Sequence, residues 1–460
     1  MAGLTFDLTP RSVPPVQTPY RRIVTQIPAP ESLAVLEDLR RYEPVAMTGQ
    51  PPIVWDRAVD CQVYDAYGNM WLDLSSGVLV ANSGHCSPEV QQAIVDQANA
   101  QLLHNYCFPS RQRAELTKLL VSVAPPGLDK VFLLTTGAEA NENAIKLART
   151  WGQLQGGKRK IGIVSFERAF HGRTMGAQQA GGSPSQKEWI VNLDPGFHQV
   201  PFPDGYRTED TSFDLFLRSL KAKGLEGADV AAVIMETFQG GGADFAPVEY
   251  MQALRRWCDD NGVLLICDEV QAGFGRSGKF WSFEHYGIVP DMIICGKGIS
   301  SSLPLSAVIS RHEIMDLYPP GSMTSTHTGN PVACAAATAN IRRLLKLDLV
   351  GNAAKRGEHL AGLLQGLQAQ FGKVIGAIHG KGLVAGIQVV HQGSKEPDSE
   401  LAHAIVERAF RKGLLFFAPV GFGNATVKVA PPLTITDDML DDGFVALREA
   451  FAEAITDLGR

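Results

Sequence analysis

The chain has 460 residues, 45% of them hydrophobic and 20% charged, with a mean hydropathy of -0.02; it is too long for one ordinary core and too apolar for a disordered or fibrous protein. A formal charge of -6 and a pI near 6.0 leave no electrostatic reason to expect nucleic acid or an anionic membrane as partner. Its seven cysteines, Cys61, Cys86, Cys107, Cys258, Cys267, Cys295 and Cys334, stand singly with no CxxC pair, which removes disulfide scaffolds and zinc ribbons and fits a reducing cytoplasm.

The opening MAGLTFDLTPRSVPPVQTPYRR has no apolar stretch of the kind a secretory leader needs, and no run is long enough to span a bilayer, so a soluble, unexported protein is expected. After this proline-rich opening, Asp56 to Leu74 alternates as strands do, with Tyr67-Gly68-Asn69 as a turn between two runs, which reads as a small antiparallel piece. From Pro88 onward, helical periodicities are separated by the short apolar runs KVFLLT, KIGIVSF, DVAAVIME, GVLLICDE and DMIICGK. Strands alternating with helices predict a parallel α/β sheet. At Pro331 an alanine-rich helix begins, and beyond about residue 346 the spacing becomes helix, paired strands, helix, strand, strand, helix, an α+β pattern. The expected organisation is an N-terminal segment over 1–85, a large domain over 86–345 and a small C-terminal domain over 346–460, packed together because no linker or repeat separates them.

In an open α/β sheet, ligands sit outside the carboxyl ends of the strands, and those ends are chemically uneven here. One run ends in Asp268-Glu269, the next in Gly296-Lys297-Gly298, and an earlier one in Thr135-Thr136-Gly137-Ala138 at a helix start. A lysine flanked by glycines at a strand end can be desolvated and closely approached, which lowers its pKa and makes it a nucleophile; a surface lysine is the alternative. The helix start in TTGAEANENAIKLAR offers free backbone N–H groups to a phosphate, although ordinary capping accounts for the same residues. It lacks GxxxxGK followed by Ser or Thr, so a nucleotide P-loop is unsupported. The run from Gly273 to Gly278, GFGRSG, matches GxGxxG, but DEVQA separates it from its strand and KFWSFEHYG follows, so it reads as a glycine-rich loop.

Taken together, DEVQAGFGRSGKFWSFEHYGIVPDMIICGKGISSSLPLSAV, TTGAEANENAIKLAR, AFHGRT, THTGNP and APPLTI resemble the motif set of class III aminotransferases, a group that includes 4-aminobutyrate and ornithine aminotransferases, from about Asp56 to the end. The resemblance implies the type I pyridoxal-phosphate transferase fold: a large domain with a mostly parallel sheet, and a smaller α+β domain built from the N- and C-terminal segments. It also implies pyridoxal 5'-phosphate as cofactor, no metal, and a homodimer with shared active sites, or a tetramer built from it. Lys297 would be the Schiff-base lysine, later moving a proton between substrate carbon and cofactor. Asp268 would pair with the pyridine nitrogen and keep it protonated, so that the ring accepts the electrons of the substrate carbanion. Phe170 would stack on the ring, His171 would support Asp268 from behind, and Gln271 would lie beside the phenolic oxygen. Gly137, Ala138 and the partner subunit's Thr326 would hold the phosphate, and Glu236 is counted with the cofactor contacts. Many relatives carry Ser where Ala138 stands, so the backbone must suffice there.

On the substrate side, Arg173 in HGRT matches the arginine that grips the distal carboxylate of 4-aminobutyrate or 2-oxoglutarate in those relatives. Its planar fork suits a carboxylate, with a structural salt bridge as the alternative. Val78 in DLSSGVLV falls where relatives place an apolar pocket residue, a position equally suited to plain packing. Two departures stand out. The family's EPVQGEGG reads ETFQGGG, putting Gly241 where the second glutamate belongs, and the arginine before PPLT is Lys428. Both halves of the usual Glu/Arg switch have changed, and a lysine offers a point charge rather than a fork. The expected function is transfer of an amino group from an ω- or β-amino compound to a 2-oxo acid, 2-oxoglutarate or pyruvate, with Arg173 and Lys428 as the anion-binding pair. The alternatives on the same cofactor are a racemase, decarboxylase or phospho-lyase, or a transaminase for an extended anionic substrate such as a thioester, for which the Gly240-Gly241-Gly242 loop would leave room.

Overall fold

The computed structural model describes residues 5–460, and the chain divides into two compact units, Pro88–Val350 and Met1–Ser87 with Gly351–Arg460. The larger unit is built on a seven-stranded sheet whose strands, in chain order, are β1 (Lys130–Leu134), β2 (Gly162–Phe166), β3 (Phe197–Val200), β4 (Val230–Glu236), β5 (Leu264–Asp268), β6 (Met292–Cys295) and β7 (Ser306–Ser310). Their spatial order is β1-β7-β6-β5-β4-β2-β3. The five apolar runs read from the sequence are β1, β2, β4, β5 and β6; the short edge strand β3 and the serine-flanked β7 escaped that reading. β7 is antiparallel to both of its neighbours, so the sheet is mostly parallel, as the resemblance implied, and not the wholly parallel one that the alternation of strands and helices suggests. The reason lies in the connection: only ten residues, Gly296–Leu305, join β6 to β7, too few for the helical crossover that a parallel return requires.

Helices cover the sheet because β4 and β5 are buried along their whole length, as continuous apolar strands demand. The central one, α1 (Gly137–Gly156), is nucleated by a capping box in which Thr136 Oγ1 accepts from Glu139 N (3.2 Å) while Glu139 Oε2 accepts from Thr135 N (3.0 Å) and Thr136 N (2.8 Å). Its apolar face, Ala140, Ala144, Leu147 and Ala148, packs with Ile163, Ile234, Ile266 and Ile294 in the core. Each fully buried Leu or Ile contributes roughly 1.5–3 kcal/mol. The small side chains let the helix lie close; at Gly152 an added Cβ would come within 2.7 Å of the Ala231 Cβ. A short helix, α2 (Met175–Ala180), follows β2.

The smaller unit holds two sheets. Strands Val16–Gln17, Arg22–Ile23, Arg57–Val59, Gln62–Tyr64 and Met70–Asp73 pair antiparallel, and Leu414–Leu415 joins Met70–Asp73 in parallel. Between Asp56 and Leu74 the chain forms three strands rather than two, because it also reverses at Asp60, whose φ of +52° an aspartate tolerates better than most side chains. Trp71, Ile23, Val63, Phe410 and Leu415 form the core under this sheet, and Trp71 Nε1 donates to Phe410 O at 2.8 Å. The second sheet is the antiparallel Ile375–Lys381, Val384–Val389 and Thr426–Val429, accompanied by helices Ser399–Arg411 and Asp437–Leu458. Among the described residues no helix is long and apolar enough to cross a membrane.

Candidate active site

The parallel strands β4, β5 and β6 end at the same edge of the large sheet, with Asp268 paired in register to Glu236 on one side and Ile294 on the other. Asp268 is buried, and its carboxylate is held by three nitrogens: Asn141 Nδ2 donates to Oδ2 at 3.0 Å, His171 Nδ1 lies 2.8 Å from Oδ2, and Val270 N donates to Oδ1 at 3.0 Å. A carboxylate only accepts, so the His171 proton sits on Nδ1. His171 Nε2 is buried with no hydrogen-bond partner. Sequence reasoning missed Asn141, which comes from the second turn of α1 and also donates to Gly137 O at 3.0 Å; its position four residues beyond Gly137, on the helix face that meets the strand ends, was the available clue.

Two carboxyls beside Asp268 are strongly perturbed. Burial pushes Glu236 up to about 7, against a downward pull from His171 and with the Asp268 charge adding to the rise. Its oxygens accept from Phe170 N (2.9 Å) and Gly240 N (3.0 Å). Glu269 is likewise pushed up to about 7 by burial, opposed by hydrogen bonds from Ser282 N, the Thr237 hydroxyl and Phe283 N, at 2.9, 2.7 and 2.9 Å. Those bonds close the glycine-rich loop that runs from β5 to Ser282. The sequence reading gave Glu269 no role. Lys297, the second residue past β6, has a φ of +44°, and burial pushes its amine below the ordinary lysine value against the opposing charges of Asp268 and Glu236.

Around this cluster, Gly137 and Ala138 form the first turn of α1, where helical N–H groups lack intrahelical acceptors. Gly137 has no room for a side chain, since a Cβ would lie 2.9 Å from Val270 Cγ1. Phe170 and His171 follow β2, and Arg173 is exposed, its guanidinium carbon 5.5 Å from the Phe170 ring centre. Gln271 packs directly on Gly240, and the Asp244 carboxylate packs directly on Gly242. The glycine loop is therefore filled by neighbours at those two positions. Thr326 stands exposed in the segment before helix Pro331–Lys346.

Val78 and Lys428 belong to the smaller unit. Val78 lies in a single left-handed turn in which Ser76, Gly77, Val78 and Leu79 have φ of 51°, 56°, 64° and 61°. For residues with a Cβ this costs roughly 1–2 kcal/mol each, and a β-branched one is a genuine outlier. The turn is held by Ser76 Oγ donating to Ala430 O (2.6 Å), by Ser75 N and Oγ donating to Asp73 Oδ1 (2.7 and 2.6 Å), and by His85 Nε2 against Asp73 Oδ2 (2.7 Å). Leu79 is buried beneath it and Val78 is 43% exposed. Lys428 is buried on strand Thr426–Val429, opposite Gly386.

A desolvated lysine, a hydrogen-bonded buried carboxylate and an anion-accepting helix start, gathered at the strand ends of an α/β sheet, define an enzyme of the type I pyridoxal-phosphate fold. The family model for aminotransferase class-III matches residues 45–451. The chain is similar to the 4-aminobutyrate aminotransferase of Mycobacterium leprae (35% identity over 438 residues, 92% of this chain and 96% of that protein). It is also similar to the acetylornithine aminotransferase of Caldanaerobacter subterraneus subsp. tengcongensis (34% over 403 residues, 87% and 95%). Among solved structures, a PLP-bound amine transaminase from an uncultivated Pseudomonas species superposes with a TM-score of 0.80 at 29% identity, covering 87% of this chain and 95% of that one. The chain belongs to the class III aminotransferases, and its cofactor is pyridoxal 5'-phosphate.

Proposed function

We propose that this enzyme takes the amino group from an ω-amino compound and passes it to a 2-oxo acid, with Lys297 as the reactive amine and Arg173 as the anchor for the far carboxylate. The observation that carries the reading is Lys297, an amine lowered by burial beside the Asp268 and Glu236 carboxyls. The residues fit the cofactor at three points. The Gly137 and Ala138 amides remain for a phosphate once Thr136 Oγ1 has taken Glu139 N. Asp268 Oδ1 carries one backbone donor and keeps a lone pair for a protonated pyridine nitrogen. Phe170, fixed by its N–H to Glu236 Oε1 (2.9 Å), would supply the ring face.

Bound pyridoxal phosphate supplies an aldehyde for nitrogen exchange and a ring that withdraws electrons from the donor carbon. Lys297 Nζ holds the cofactor at rest and then carries the proton at the donor carbon, a task that a depressed pKa favours near neutral pH. Asn141 and His171 hold Asp268 Oδ2 so that the carboxylate cannot rotate away. Arg173 has no ion-pair partner among the described residues, which leaves its fork for a substrate carboxylate.

We assign a homodimer, or a tetramer built from it, with the partner subunit's Thr326 at the phosphate. Support comes from exposed Leu103, Tyr106 and Phe108 (58%, 40% and 72%), which adjoin the Thr326 segment through Tyr106 Oη to Thr324 Oγ1 (3.1 Å) and Asn330 Nδ2 to Leu103 O (2.7 Å). The cytoplasm is the assigned compartment, since all seven cysteines are free. Mixing the holoenzyme with 4-aminobutyrate or another ω-amino acid, without any oxo acid, should bleach the cofactor absorbance and yield one pyridoxamine phosphate per subunit. Exchange of the α-hydrogen of an amine with no such product from any ω-amine would overturn the assignment.

A further inference from the structure

Resting on the reading of Arg173 as the carboxylate anchor, we infer that Glu142 is its positioning residue, bracing from α1 the turn that carries the guanidinium and so sharpening selection of substrates with a second carboxylate. Glu142 Oε1 accepts three hydrogen bonds from the far side of that turn: Thr174 Oγ1 at 2.6 Å, Gly176 N at 2.7 Å and Ala177 N at 3.0 Å. Thr174 is the N-cap of α2 but makes no side-chain cap of its own. The carboxylate of Glu142 supplies that cap from another helix. Gly176 is required for the approach, because a Cβ there would collide with Glu142 Oε2.

The near side of the turn is pinned as firmly. Phe170 N donates to Glu236 Oε1 at 2.9 Å and His171 Nδ1 lies 2.8 Å from Asp268 Oδ2. Gly172, at φ +134°, lies against Ala138, whose Cβ would be 2.6 Å from an added Cβ. Only Gly172 and Arg173 therefore separate two fixed points, His171 held by the strand ends and Thr174 held by Glu142. The Arg173 side chain itself is exposed, its guanidinium carbon 5.5 Å from the Phe170 ring centre. A long side chain loses rotamer entropy when it grips a ligand, and a backbone already fixed limits that loss to the side chain. Glu142 is thus coupled to affinity for the far carboxylate and not to the chemistry at Lys297.

The test compares the holoenzyme and its variants with two donors, 4-aminobutyrate and n-butylamine, which differ in the carboxylate. Glu142→Ala should raise KM for 4-aminobutyrate about fivefold, the size of a lost helix cap, with a smaller change in kcat and in KM for n-butylamine. Glu142→Gln keeps an accepting oxygen and should restore most of the lost affinity. Thr174→Val removes one donor from the other side of the same contact, should give a smaller rise with the same selectivity, and remains informative if Glu142→Ala does not fold. Arg173→Ala, measured alongside, should abolish the preference for 4-aminobutyrate. If it does not, the reading of Arg173 fails and takes this inference with it. If it does, while Glu142→Ala and Thr174→Val leave the ratio of the two KM values unchanged or raise both equally, only the role of Glu142 is overturned.

Discussion

The large unit places its buried strand-end acids and the helix start beside them on regular backbone, whereas the small unit places Val78 on strained backbone. Glu236 and Asp268 are the last residues of β4 and β5, Gly137 and Ala138 open a capped helix, and Lys297, two residues past β6, is left-handed between neighbours that are not. Around Val78 four consecutive residues are left-handed and only one of them is glycine. Backbone strain of this kind persists only where surrounding contacts over-determine it, and here the Ser76–Ala430 and Ser75–Asp73 hydrogen bonds do so. Groups that need correct chemistry can be set by the end of a strand; a side chain that needs an unusual direction is set by a distorted turn.

The largest effect should come from the large unit. Lys297→Ala removes the amine proposed to react and should lower turnover by roughly 10^2–10^4-fold, measured as the rate of the half-reaction with a saturating ω-amine. A loss below tenfold would place the chemistry elsewhere.

A second test concerns the buried acids. Glu269 holds its proton up to about pH 7, above its ordinary 4.5, so its stabilising contribution is complete below about 4.5 and lost as the pH rises through about 7. The non-titrating Glu269→Gln should shrink the fall in stability across that window by up to about 3 kcal/mol. Urea unfolding of both proteins at pH 5 and pH 8 measures this; identical pH dependence would mean that Glu269 titrates normally.

The smallest effect tests the strained half. Val78→Gly should raise stability by about 1 kcal/mol, the left-handed strain relieved less the added freedom of glycine in the unfolded chain, seen as a higher Tm. A lower Tm would show that Val78 earns its conformation through packing, and would remove the contrast between the units.

Much of the large unit was legible because its signals are local. A seven-residue run such as VAAVIME must be buried on both faces, and a Thr-x-x-Glu box after KVFLLT must start a helix. From these, the meeting of Asp268, Lys297 and Gly137 at one sheet edge followed. What was not legible depended on partners far apart in the chain. Asn141 reaches Asp268 across 127 positions, and Glu142 reaches Thr174 across 32; neither residue type announces such a partner. The antiparallel return of β7 and the packing of Gln271 on Gly240 were hidden for the same reason.

The sequence by itself determined the family, the cofactor and the strand-end location of Lys297 and Asp268, because short-range patterns of burial and capping specify strands and helix starts. Only the tertiary structure decided that two hydrogen-bond donors from different elements converge on Asp268 Oδ2, that the turn carrying Arg173 is pinned at both ends, and that Val78 stands on a left-handed turn. Those features arise from close approach between segments distant in the chain, where hydrogen bonds and steric fit outweigh local backbone preference.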